Sequence, residues 1–118
     1  MKLIVAFVQP FMLDKVVNAL LQIHEFPGLS ITHARGFGQE RALAAEHTVG
    51  EQLQEYVDKL RLEILALGEI ADEIVEVIAT HAHTGNRGDG KILVVEVLEA
   101  VRIRTGERGH AAVAPSSA

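Results

Sequence analysis

The spacing of apolar residues along this chain switches repeatedly between the period of a strand and that of a helix. Leu3 to Val8 is a short apolar run rich in β-branched residues that ends at Pro10, which predicts a buried strand. From Leu13 through Val16, Val17, Leu20, Leu21 and Ile23 the spacing is helical, and Pro27-Gly28 stops it. Leu29, Ile31 and His33 alternate with Ser30 and Thr32, predicting a second strand that runs into Gly36-Phe37-Gly38. A long segment follows, roughly Gln39 to Asp58, with good helix formers but no stable core face. Leu60, Leu62 and Ile64 alternate with Arg61 and Glu63, the mark of a half-buried strand. Ile70, Ile74, Val75, Val77 and Ile78 predict a second amphipathic helix, with Glu69, Asp72, Glu73 and Glu76 on its wet side. Ile92 to Val97 supplies the fourth strand.

The order β-α-β-loop-β-α-β is that of an α+β, ferredoxin-like βαββαβ sandwich, with both helices on one face of an antiparallel sheet. The other face keeps apolar side chains that no helix covers, and oligomerisation would hide them. At 118 residues there is room for one domain with its own core. It is expected to span residues 1–112, leaving 113–118 as a small, polar tail that frays. Hydrophobic residues at 48% against 23% charged exclude extensive disorder. A net charge of -5 argues against general nucleic-acid binding, so any anion site has to be local. The absence of cysteine excludes a disulfide framework and a zinc-thiolate cluster. The opening MKLIVAFVQP is too short for a signal peptide, and no run approaches a membrane span, so a cytoplasmic protein without membrane insertion is expected.

The local anion site is legible. In Thr84-Gly85-Asn86-Arg87-Gly88-Asp89-Gly90-Lys91, the glycines let backbone N–H groups approach an anion and Lys91 adds a point charge. Arg102 and Arg104 lie two apart, so an extended segment would project them from one face as a pair of phosphate-reading forks. Gly85 to Lys91 even satisfies G-x-x-x-x-G-K, but Ile92 stands where a P-loop needs Ser or Thr for magnesium, and the glycines follow a helix and precede a strand. That order predicts binding more readily than hydrolysis. In isolation the glycines could equally form a helix-to-strand turn, and the arginines could pair with Glu96 or Glu99; their combination favours nucleotide.

Four stretches, Gln9-Pro10-Phe11-x-Leu13-Asp14, Gly36-Phe37-Gly38, Thr84-Gly85-x-x-Gly88-Asp89-Gly90-Lys91-Ile92 and Arg102-Ile103-Arg104-Thr105-Gly106-Glu107, occur in the order and spacing of one family. With them the chain resembles the P-II nitrogen-regulatory signal transducers over nearly its whole length. The resemblance implies a cytoplasmic homotrimer that binds ATP or ADP between subunits and contacts a target protein through a T-loop, here about 38–58, with a B-loop at 84–91. It assigns the nucleotide to Ser30, Gly36, Phe37, Gly38, Gly85, Arg87, Gly88, Asp89, Gly90, Lys91, Arg102 and Arg104. Gln39, Glu40 and Lys59 fall at the T-loop base, where the family holds 2-oxoglutarate beside magnesium-ATP.

The T-loop departs from the family's pattern. Glu40 stands where a glutamine bridges magnesium and 2-oxoglutarate, with Gln39 beside it; a carboxylate there can hold magnesium but repels a dicarboxylate, so weak or absent 2-oxoglutarate binding is expected. Gln52 fills the column of the modified tyrosine and Tyr56 lies four residues away, which excludes uridylylation at the usual position; the lost arginine of that stretch argues against insertion into an ammonium channel. Glu46, His47 and the six histidines motivate an alternative, a metal-responsive accessory of a membrane transport or efflux system on the same scaffold. His81 and His83 do not share a helical face and read better as cations near a helix C-terminus. No Ser-His-Asp order or paired-carboxylate motif stands out, so an enzyme is the least supported class.

Overall fold

A computed structural model describes residues 1–37 and 56–115. The predicted T-loop residues Gly38, Gln39, Glu40, Glu46, His47 and Gln52 lie outside them. Strand β1 (Lys2–Val8) leads through a 3-10 turn (Pro10–Met12) into helix α1 (Leu13–Leu20), then come β2 (Ser30–Gly36), β3 (Val57–Ala66), α2 (Gly68–His81), β4 (Lys91–Glu96) and a short helical turn α3 (His110–Val113). The sheet order is β2-β3-β1-β4 and every neighbouring pair is antiparallel, the α+β ferredoxin-like arrangement that the sequence predicts.

The register sets which face each residue takes. Ile4 lies opposite Ile64 on one side and Val94 on the other, and Ala6 opposite Leu62 and Ile92. Because side chains alternate along a strand, these residues share one face with Val8, Leu60 and Ala66. On that face all but the exposed Val94 pack with Val16 and Leu20 of α1 and with Ala71, Ile74 and Ile78 of α2, spaced three and four apart along one stripe. Complete burial of Ile74 and of Ile78 stabilises by about 1.5–3 kcal/mol each. Glu69 in the first turn of α2 and His81 in its last complement the helix dipole.

The opposite face carries Leu3, Val5, Phe7, Leu65, Leu93 and Val95, with α1 and α2 both on the other side. Leu93 and Val95 are 46% and 47% exposed. Among the described residues no helix is long and apolar enough to cross a membrane.

Of the boundaries that differ from the sequence reading, three change which residues the core and the site receive. Helix α1 stops at Leu20, and Ile23 reaches the core because the chain tightens, Ile23 N–H donating to the Leu20 carbonyl at 3.0 Å and Phe26 N–H to the Ile23 carbonyl at 3.2 Å. Strand β3 begins at Val57 rather than Leu60, pairing Val57 with Gly36 and Asp58 with Arg35, so the last two residues assigned to the T-loop belong to the sheet. Of the tail expected to fray, residues 116–118 lie outside the described residues, but Val113 is buried and α3 folds back to line a pocket with Leu3 and Leu65 at one end of the helix-free face.

Candidate functional site

The loop between α2 and β4 is built around Asp89. One carboxylate oxygen accepts the backbone N–H groups of Thr84 (2.8 Å) and Gly85 (2.9 Å); the other accepts the Thr84 hydroxyl and the Gln9 side-chain amide (2.8 Å). The Thr84 hydroxyl and N–H, the Gly85 N–H and nearby His83 together lower the Asp89 pKa to about 2. Asp89, expected among the nucleotide contacts, therefore turns inward and organises the loop. The Gly85 N–H is likewise committed to Asp89 rather than offered to a ligand.

Gly85, Gly88 and Gly90 all have positive φ. Gly90 is the most constrained: a Cβ there would lie 1.7 Å from the Phe7 carbonyl oxygen of β1. Only glycine lets the loop pass that close to the strand. From β3, the Lys59 ammonium donates to the Gly88 carbonyl, so this residue, assigned to the T-loop base, ties the sheet to the glycine loop.

These elements border a cleft of about 630 Å³ on the helix-free face. Gly36 and Phe37 at the end of β2, Lys59, and Arg87, Gly88, Gly90 and Lys91 line it. At its rim Tyr56 packs on Phe37 (ring centroids 5.4 Å apart), and the Arg35 guanidinium lies 5.8 Å from the Tyr56 ring centre. Phe37 and Tyr56 are the described residues on either side of the segment 38–55.

Ser30 and Arg102 are elsewhere. They line a second pocket, about 690 Å³, with Glu63, Leu65 and the chain end 112–115. Ser30 begins β2 and Gly36 ends it, six residues apart, so the two clusters are separated by about 20 Å at the rise of a strand. Arg102 and Arg104 also do not form the expected pair on an extended face. Arg102 N–H donates to the Glu107 carbonyl (2.8 Å) and Gly106 N–H to the Arg102 carbonyl (2.7 Å), so residues 102–107 make a hairpin tip with Gly106 at positive φ. Arg102 is left largely covered, and Arg104 stands exposed on the turn.

Several contacts at the site were invisible to sequence reasoning. Gln9 reaches Asp89 across 80 positions, and nothing local in QPF signals that contact. The Arg35, Phe37 and Tyr56 stack joins residues on both sides of a long insertion. His81 and His83 have separate engagements, the His81 ring with the Val77 carbonyl (2.8 Å) and His83 with Asp89 (3.6 Å). Among the described residues no three His, Asp or Glu side chains gather around one metal position.

Comparison with known proteins matches this arrangement. The family model described as Nitrogen regulatory protein P-II matches residues 1–107. The nitrogen regulatory protein P-II of Azospirillum brasilense is 38% identical over 113 residues, covering 96% of this chain and all of the relative. That of Rhizobium etli is 41% identical over 107 residues (91% and 95%), and nitrogen regulatory protein P-II 1 of Escherichia coli strain K12 is 37% identical over 113 residues (96% and 100%). A family model spanning residues 1–107 and relatives 37–41% identical along almost the whole chain make this protein a member of the P-II nitrogen regulatory family.

Proposed function

We propose that the chain binds ATP or ADP between adjacent copies of itself and uses the occupancy of that cleft to set the state of the 38–55 segment toward a target protein. The observation that carries this reading is the separation of the two cation clusters. Lys91 with the Gly88 and Gly90 backbone, and Ser30 with Arg102, sit about 20 Å apart at opposite ends of one sheet face, too far to grip one polyphosphate together. A second copy can bring its Arg102 end against the Lys91 end of the first. Such a contact joins unlike patches, which do not form a twofold dimer but a ring where the rotation closes, and the smallest such ring is the proposed trimer. The half-exposed Leu93 and Val95, with Leu98 and Ile103 standing almost wholly in solvent, give that ring apolar surface to bury.

Binding at the cleft can be felt by the 38–55 segment because Phe37 lines it and Tyr56 stacks on Phe37. A nucleotide shifts that segment only through different affinity for its states, and a γ-phosphate at the loop base provides the difference between ATP and ADP. Regulation rather than catalysis is proposed because Ile92 follows Lys91 and no general base stands free at the clamp among the described residues. Glu40 argues for weak 2-oxoglutarate binding. The metal-responsive alternative rests on the histidines together with Glu46 and His47. Light scattering combined with calorimetry tests the reading: a trimer taking up one nucleotide per protomer is expected, and a monomer that binds ATP with the same affinity would refute the shared cleft.

A further inference from the structure

Arg102, which the nucleotide reading makes an anion contact, is already occupied by its own chain. Its Nη2 donates to the carbonyl oxygens of Ala114 (2.6 Å) and Ala112 (3.3 Å), and its Nη1 lies 3.8 Å from the Glu107 carboxylate. A guanidinium has five N–H donors, two of them on Nη2, so both donors of that nitrogen are committed to the chain end. The side chain is 21% exposed, and the residues that supply its partners also form one wall of the pocket it faces.

We propose that the segment from His110 to Pro115 is a latch on Arg102, which withholds the guanidinium from anions until an anion displaces the segment. The inference rests on the nucleotide reading and adds a self-contact that competes with it. The chemistry favours exchange in one direction, because a phosphate oxygen carries charge that the two carbonyls lack, and bonds between ionised partners are the stronger. The segment's own hold is slight. It is one turn of four residues, closed by Ala112 N–H on the Gly109 carbonyl (3.0 Å) and Ala114 N–H on the His110 carbonyl (2.8 Å), and anchored by the single buried side chain of Val113. Its alanines bring no carboxylate that could hold Arg102 against a ligand. A contact made by two carbonyls on a one-turn helix is strong enough to bias a pocket and weak enough to yield.

Hydrogen exchange on the full chain, followed at the Ala112 and Ala114 amides with and without saturating ATP, reads the latch directly. Release predicts faster exchange at both amides when ATP is bound. In parallel, calorimetry compares the full chain with a chain ending at Gly109 and with Val113→Ser, with light scattering and circular dichroism checking assembly and fold. The shortened chain should bind ATP on the order of tenfold more tightly, the worth of about one hydrogen bond to a charged group, and Val113→Ser should fall between. If the shortened chain does not fold, the exchange measurement and Val113→Ser decide. ATP binding that leaves both amides unchanged or slower, or equal or weaker affinity in the variants, overturns the latch alone. Absence of ATP binding to every form overturns the nucleotide reading and the latch with it.

Discussion

Replacing Gly90 with alanine should be among the most damaging single-methyl changes in this protein. The added carbon would sit 1.7 Å from the Phe7 carbonyl oxygen and 2.8 Å from its carbon. Neither atom can swing aside, because both belong to β1 in the middle of the sheet, where Phe7 pairs with Lys91. Two costs add. A non-glycine residue held at φ +103 stores roughly 1–3 kcal/mol. Forcing the loop away from the strand costs about another 1–3 kcal/mol, the usual range for overpacking a rigid site. Alanine's smaller unfolded-state entropy returns about 0.4–1 kcal/mol, leaving a net loss of about 1–6 kcal/mol against the 5–15 kcal/mol that holds a typical domain together. Gly28 supplies the control, since its φ is +97 and a Cβ there meets nothing within 4 Å. Gly28→Ala therefore incurs the strain without the collision. Urea unfolding of both variants at one protomer concentration should place Gly90→Ala below Gly28→Ala by about 1–3 kcal/mol. Equal stabilities for the two variants would show that the loop does not pass so close to Phe7.

Lys91→Ala and Arg104→Ala should each weaken ATP binding by about 1.5–3 kcal/mol in calorimetry while the far-UV circular dichroism stays native; parent-like affinity in both would remove the clamp. The Asp89 carboxylate has its pKa lowered from 3.8 to about 2, so its stabilising effect is fully present above the unfolded value and is lost as the pH falls through about 2. Thermal melts between pH 2 and 6 should show Asp89→Asn less stable than the parent at pH 6 and converging with it at the acid end; a constant gap would contradict the role of the charge. Calorimetry with magnesium-ATP should find weak 2-oxoglutarate binding in the parent and tighter binding in Glu40→Gln, by up to roughly a thousandfold for like charges at about 4 Å; tight binding by the parent would overturn the assignment.

How much of this was legible in the sequence depended on whether the signal lay in side chains or in backbone. Leu60, Leu62 and Ile64 announce β3 because alternate residues enter the core, and Ile74 and Ile78 announce α2 in the same way. Val57 and Asp58 extend β3 through backbone pairing with Gly36 and Arg35, with both side chains largely exposed, so no apolar pattern could mark them. The glycines of the clamp were evident as a composition, but Asp89's inward turn depends on Gln9, which comes beside it only when β1 and β4 pair. Spacing suggested that Arg102 and Arg104 act as a pair; the hairpin closed by Gly106 separates them, and a partial burial of Arg102 by the chain's own end has no signature in a run of alanines.

The stack at the cleft rim has a spectroscopic consequence. The chain has one tyrosine and no tryptophan, and that tyrosine is Tyr56, in contact with Phe37 and beneath the Arg35 guanidinium. Ultraviolet emission excited beyond the phenylalanine band therefore originates from a single ring per protomer, placed where the cleft meets the loop. Its intensity and anisotropy form a built-in optical gauge of that junction, readable in the unlabelled, unmutated protein.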